Sequence, residues 1–374
     1  MTTHSEPRQS RLPVPVLPAG LDTPALVVFV STVTRNAARL QAELDRRGVA
    51  LRPHAKTHKS VRIARLQLDA GARGLTVGTL GEAETFAAAG IRDLFVAYPV
   101  WADRAKGARV RALHEGADLR VGVDSAEGAL ALAAAVRAAA RRLPVLVEID
   151  PRARRTGVAT PAAAVAVAEA ARDAGLVVAG VFAHGGHAYR PDGAAAAAAD
   201  EVRTLGAAAE ALESAGFEVT TISAGSTPTM TLAATGRVNE IRAGTYILGD
   251  RQQWALGAIP PDGCAAVVAA TVVSVHDDRV VVDAGTKSLT KDRPDWLAGY
   301  GFLPAYPDAV VDRLSDYHGV VVTPPGSPRP GLGEVVAIVP NHVCPVVDLF
   351  DDFVAALPDG TTERWPVDAR GRSR

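Results

Sequence analysis

The amino-acid sequence predicts an α/β protein, a (β/α)8 TIM-type barrel followed by a smaller all-β domain. Two observations carry this. From residue 49 to residue 245, short β-branched runs alternate eight times with longer stretches rich in Ala, Leu, Arg and Glu, the repeat that closes a parallel barrel. After residue 245 helical periodicity gives way to short strand-like runs broken by Gly, Pro and Asp, as in an all-β domain. A doubly wound open sheet is the alternative arrangement of the same repeats.

The predicted barrel strands are, in order, Val49–Lys56, Gly74–Thr79, Asp93–Tyr98, Asp118–Asp124, Leu143–Asp150, Leu176–His184, Phe217–Ala224 and Val238–Ala243. Helical stretches between them end at Gly48, Gly71, Gly90, Gly175 and Gly216, where a left-handed cap favours glycine. Ala25–Val30 is also strand-like, precedes a helix over residues 33–47, and can pair with the C-terminal domain. There the expected strands are Val267–Val275, Arg279–Asp283, Gly319–Thr323 and Glu334–Ile338. The expected division is a barrel over residues 24–245 and a β domain over 246–374, with 1–23 packing on the latter. The polar last dozen residues are expected to fray.

A chain of 374 residues is long for one core, so two domains are the default. With 48% hydrophobic and 22% charged residues, it has the balance of a globular protein in water. A net charge of −1, without long like-charge runs, argues against nucleic acid or an anionic membrane as partner. No signal peptide or 18-residue apolar span is evident. Two cysteines, Cys264 and Cys344, fit a reducing, cytoplasmic setting and leave metal or catalysis as their use.

In such a barrel the chemistry sits at the C-terminal ends of the strands. The first predicted strand ends in Arg52-Pro53-His54-Ala55-Lys56-Thr57-His58-Lys59. Like charges this dense disfavour a protonated amine, which would make Lys56 a candidate nucleophile; a solvated basic turn is the plain alternative. Arg155 follows the fifth strand, and the sixth ends in Ala183-His184-Gly185-Gly186-His187-Ala188-Tyr189. Gly225-Ser226-Thr227-Pro228-Thr229 after the seventh, with Gly244-Thr245-Tyr246 after the eighth, has the chemistry of a phosphate cup to which a following helix N-terminus would add its dipole. Alone, the first loop reads equally as a helix cap. In the β domain, Pro340-Asn341-His342-Val343-Cys344 would place an imidazole and a thiol on one side of an extended backbone. That pair suits zinc with open positions; a buried cysteine beside a structural histidine is the alternative.

Together, the Lys56 and His342–Cys344 segments, Gly225–Thr229 and Asp283-Ala284-Gly285-Thr286-Lys287 resemble the fold-type III pyridoxal-phosphate enzymes, specifically the D-serine dehydratase and D-threonine aldolase group. The resemblance implies an alanine-racemase-like barrel with the cofactor on Lys56 and a divalent metal, Zn2+ or else Mn2+ or Mg2+, on His342 and Cys344. His54, Arg155, His184, Tyr189, Gly225, Ser226, Thr227, Gly244, Thr245 and Tyr246 would surround the cofactor, Arg155 at its pyridine nitrogen. Lys56, His187 and Tyr189 would form the catalytic group. The implied substrate is a small D-amino acid with a β-hydroxyl, and a homodimer is expected. His-x-Cys resembles the dehydratases, whereas the aldolases show His-x-Asp, so the lean is toward dehydration of D-serine to pyruvate and ammonia. An aldolase and a racemase on the same cofactor remain the rivals.

Overall fold

The computed structural model describes residues 12–374. They form two compact units made of interleaved chain segments. One comprises the residues up to Asn36 with Thr245–Val367; the other comprises Ala37–Gly244 with Asp368–Arg374.

The chain opens with β1 (Ala25–Phe29) and α1 (Val30–Asp45). The barrel unit then alternates β2 (Ala50–Leu51), α2 (Val61–Asp69), β3 (Leu75–Val77), α3 (Leu80–Ala88), β4 (Asp93–Pro99), α4 (Arg104–Gly116), β5 (Asp118–Val123) and α5 (Ala126–Val136). It continues through β6 (Pro144–Glu148), α6 (Pro161–Asp173), β7 (Val177–Phe182), α7 (Gly193–Ser214), β8 (Thr221–Ala224) and β9 (Glu240–Ile241). Asp103, Ser125 and Thr160 cap their helices through side-chain oxygens, which supplies acceptors to otherwise unpaired amides. The eight strands form one parallel sheet in the order β2-β9-β8-β7-β6-β5-β4-β3. Its two ends meet at a single parallel bridge between His54 and Thr76, with Thr76 N–H donating to Pro53 O at 2.9 Å. The expected barrel is therefore present, with one thin seam beside the lysine turn.

That seam explains why the first expected strand, Val49–Lys56, shrinks to Ala50–Leu51. Pro53 has no N–H to give a ladder, and the His54 side chain caps a 3-10 turn over Ala55–Thr57. The barrel interior is partly polar. Arg52 is fully buried and reaches Glu240 and Asp93 at 2.7 Å each; Arg120 approaches Asp93 at 3.2 Å. Ser223 Oγ donates to Glu240 at 2.7 Å and accepts from Arg242 at 2.6 Å. Phe95 and Phe182 close the layer above in an edge-to-face contact at 5.1 Å, and the Arg242 guanidinium lies over both rings.

The other unit adds α8 (Arg251–Ala255), β10 (Ala266–Val275), β11 (Arg279–Val282), α9 (Thr286–Leu289), β12 (Val310–Leu314) and β13 (Gly319–Val322). β14 (Val335–Ile338), α10 (Val343–Val347), β15 (Asp352–Ala356) and β16 (Thr362–Pro366) complete it. β1 lies within this sheet, antiparallel to β10 in the register Ala25 to Ala269 and parallel to β15. The expected boundary at residue 24 is thus corrected. Ala25, Leu26, Val27 and Val28 are all buried, and a strand apolar on both faces belongs at a sheet centre.

A second correction concerns the C-terminus. Residues 368–374 are not frayed but belong to the barrel unit. Asp368 Oδ2 accepts Val61 N–H at 2.7 Å, Ala369 N–H donates to Lys59 O at 2.9 Å, and Arg374 O accepts Gly81 N–H at 3.0 Å. Ser60 makes no side-chain cap to α2, so Asp368 supplies the anionic acceptor which that helix N-terminus favours.

Candidate active site

The turn after β2 sorts its basic residues by environment. Lys56 is exposed, whereas Thr57, His58 and Lys59 are buried. His58 bonds Gln67 and the Ser60 amide, and burial brings its pKa down to about 4. Lys59, at φ 52°, meets Glu82 at 3.5 Å. The dense like-charge cluster is therefore smaller than expected: Lys59 is paired, and His58 is neutral at physiological pH. His54 is the partner that stays with Lys56, accepting its backbone N–H at 3.4 Å.

At this end of the barrel His54 and His184 are held neutral. Burial pushes both pKa values well down, and positive charge on Lys56, Arg242 and Arg155 adds to the effect. Tyr189 tilts against His184, with ring centroids 6.3 Å apart. His187 lies 3.3 Å from Asp200 of α7. Arg155 is more than half exposed and lies 3.8 Å from Glu148. The fixed cation is Arg242, 5% exposed and bonded to Ser223 Oγ and Ala183 O. The sequence reading did not single it out, although the strand-end position of Arg242-Ala243-Gly244 was the available signal. Glu148 is a second omission: it is 2% exposed, with Oε1 accepting from Thr156 at 2.9 Å and Oε2 without a hydrogen-bond partner. Burial pushes its pKa up to about 6.

The loop at Gly225, Ser226 and Thr227 is buried, and Gly225 has a φ of +91° that suits glycine. No helix follows it; residues 227–237 run in turns and bends. The expected dipole contribution is therefore absent, because Pro228 and Gly236 interrupt helical propensity. Gly244 packs so closely on the lysine turn that a Cβ would stand 2.8 Å from Thr57 Oγ1 and 3.0 Å from His54 O.

In the β unit, His342 and Cys344 do not lie on an extended strand. His342 is the N-cap of α10 and Cys344 stands in its first turn. The extended φ and ψ of an N-cap followed by helix still bring the two side chains into mutual interaction. His342 Nδ1 lies 2.5 Å from Asp292 Oδ2. Burial opposes its protonation, but the Cys344 sulfur, then Asp292 and Asp250, push its pKa up to about 11. Asp250 caps α8 through Gln253 N–H at 2.8 Å and accepts Val343 N–H at 3.1 Å, so it ties α8 to the turn bearing both candidate ligands. Thr245 Oγ1 lies 3.7 Å from Cys344 Sγ, and Tyr246 beside it is buried.

The donor sets fit the groups that the resemblance implies. Two neutral histidines among three cations favour an anion, and the glycine approach at Gly244 keeps side-chain bulk out of the turn beside Lys56. In the β unit Asp292 occupies Nδ1 and leaves Nε2, beside a thiol, for a borderline-soft ion. Among the described residues no group of three or more His, Cys, Asp or Glu is set to hold a metal alone. Two protein ligands would leave positions open to water or substrate, as a catalytic ion requires.

Known proteins place this architecture. Residues 29–252 match the family described as Alanine racemase, N-terminal domain, and residues 265–356 match one described as Putative serine dehydratase domain. The chain belongs to the fold-type III pyridoxal-phosphate enzymes of this alanine racemase-like family. It is 36% identical to D-threo-3-hydroxyaspartate dehydratase of Delftia sp. (strain HT23), over 92% of this chain and 97% of that protein. It is 35% identical to D-threonine aldolase of Arthrobacter sp., over 97% of each. A solved structure of a cysteine-to-alanine mutant of D-threo-3-hydroxyaspartate dehydratase, in the metal-free form, superposes with a TM-score of 0.85 at 34% identity, covering 96% of this chain and 99% of that one. No helix among the described residues is long and apolar enough to cross a membrane.

Proposed function

We propose that the protein is a pyridoxal-phosphate- and divalent-metal-dependent lyase that dehydrates small D-β-hydroxy amino acids, converting D-serine to pyruvate and ammonia. The observation that carries this reading is the His342–Cys344 pair with Asp292 behind the imidazole. Pyridoxal phosphate, carried on Lys56, supplies an electron sink for charge developing at the substrate α-carbon. A divalent ion on Cys344 Sγ and His342 Nε2, zinc by the softness of the pair, supplies Lewis acidity toward the β-hydroxyl.

The chain's own groups do the rest. Lys56 Nζ would hold the cofactor and, as a free amine, would take the α-proton. Neutral His54 and His184 present uncharged rings to the cofactor, and Tyr189 fixes the orientation of His184. Ser226 and Thr227 contact the phosphate, with Gly225, Gly244 and Thr245 allowing its close approach; Tyr246 follows in the same segment. Arg155 and Arg242 balance the anionic charge, and His187 with Asp200 forms the acid–base pair beside Tyr189. Water leaves the β-carbon, and uptake of one water by the released enamine yields 2-oxo acid and ammonia. The enzyme works as a homodimer in the cytoplasm in this reading.

Retro-aldol cleavage is the second reading, favoured by the 35% identity to D-threonine aldolase. The purified enzyme should be assayed with D-serine and D-threonine for 2-oxo acid, ammonia, glycine and aldehyde. Pyruvate from D-serine, lost with a strong chelator and restored by zinc, supports the dehydratase. Glycine and acetaldehyde from D-threonine as the main products would transfer the assignment to the aldolase. Full activity under chelation would remove both.

A further inference from the structure

Glu201 lies on α7, is 0% exposed, and has no part in the chemistry above. Its carboxylate accepts three hydrogen bonds. Oε1 takes Gly185 N–H at 2.9 Å, after β7, and Gly225 N–H at 3.1 Å, after β8. Oε2 takes the Thr229 hydroxyl at 2.8 Å. Thr229, its one proton given to Glu201, has lone pairs left for Ser226: Ser226 N–H donates to Thr229 Oγ1 at 2.9 Å, and Ser226 Oγ stands 3.1 Å from it. Because Thr229 has no second proton, the Ser226 hydroxyl is the donor in that contact. That contact uses the Ser226 hydroxyl proton and, with the Ser226 N–H, fastens Ser226 to Thr229.

The placement runs against simple electrostatics. A carboxylate under a loop meant for a phosphate repels it, and burying a carboxylate is costly unless donors saturate it. What Glu201 supplies in return is geometry: one side chain fixes two loops that leave adjacent strands and, through Thr229, fixes the place of Ser226. Gly185 fits the same design, since a Cβ there would stand 2.9 Å from Glu201 Cδ. We propose that Glu201 is a positioning residue for the cofactor phosphate, acting through Thr229 on Ser226 and directly on Gly225. The inference rests on the reading that pyridoxal phosphate binds at this barrel end.

The test compares pyridoxal phosphate with pyridoxal, which carries the same aldehyde and ring without the phosphate. Apparent affinities of the full-length apoprotein for each are measured by visible absorbance and protein fluorescence, with melting temperature as the control for folding. Glu201→Gln places an amide N–H2 where the Thr229 hydroxyl now donates, so Thr229 loses its acceptor and its fixed place beside Ser226 at nearly constant shape. Thr229→Val cuts the link and leaves Glu201 in place. Each should weaken pyridoxal phosphate by about tenfold or more, the scale of a misplaced hydrogen bond to a charged group, while pyridoxal affinity stays unchanged. Variants that keep the parent's ratio of the two affinities, or lose both ligands equally, overturn the positioning role and leave the phosphate site standing. A parent that binds both ligands alike overturns the phosphate site and the inference with it.

Discussion

Asp292→Asn tests the proposed metal centre at its most separable point. Asp292 Oδ2 lies 2.5 Å from His342 Nδ1 and is not one of the two expected ligands. Outer carboxylates of this kind change metal affinity by about 10- to 100-fold when removed, roughly 1.4 to 2.7 kcal/mol. The Asp292 side chain is 48% exposed, so solvent screens its charge and the lower end applies. Asparagine keeps an acceptor for the Nδ1 proton and loses only the charge, which sets the expectation at about tenfold weaker zinc binding. Asp292→Ala loses acceptor and charge together and should approach the upper end. Metal-free protein is titrated with zinc against a chromophoric chelator, and the visible band of the lysine-bound cofactor is followed in parallel. That band should be unchanged in both variants. Zinc dissociation constants within twofold of the parent in both would refute the argument that Asp292 supports a metal ligand.

Three further outcomes are expected. Lys56→Ala should lose the visible cofactor band and all turnover, and a variant that still consumes D-serine would defeat the assignment of Lys56. Glu148 has a folded pKa of about 6 against 4.5 for a free glutamate, so the fold binds its proton more tightly than the unfolded chain does. Stability should therefore fall by about 2 kcal/mol as pH rises from 4.5 through 6, and Glu148→Gln should flatten that slope in urea titrations; parallel slopes for parent and variant would contradict it. Arg52→Met leaves Glu240 and Asp93 without their buried cation and should cost about 3 to 5 kcal/mol, with a loss under 1 kcal/mol in chemical denaturation counting against the network.

The barrel was legible because its strands are β-branched runs and its helices end at glycines; Gly48, Gly71, Gly90, Gly175 and Gly216 all take positive φ. Strand lengths were less so. Arg52–His54 continues the path of β2 and then turns into the 3-10 helix at Ala55–Thr57, and hydropathy does not mark where the one gives way to the other. β15 and β16 were not anticipated, since Asp352 and Arg364 place charges in both and only pairing with β1 and each other organises them. Lys56, His54 and the His342–Cys344 spacing were visible as local motifs. Asp292 was not, because 50 residues separate it from His342. Glu201 sits in an Ala-rich helix where nothing nearby distinguishes it from a solvated glutamate, and only the fold brings Gly185 and Gly225 to it.

The central place of β1 has a consequence for biosynthesis. Its antiparallel partner β10 lies about 240 residues downstream, a ring closure that costs about 5 kcal/mol in chain entropy. At roughly 5 to 20 residues per second, a ribosome needs about 12 to 48 s to bridge that interval. Throughout it the emerging polypeptide carries Ala25-Leu26-Val27-Val28-Phe29 with neither neighbour in existence, an apolar segment of the kind that recruits chaperones or seeds aggregates. Residues 368–374, which supply acceptors to α2 and α3, come later still. Until they are made these helix ends lack their acceptors, one of them at the start of the very helix that follows the lysine turn.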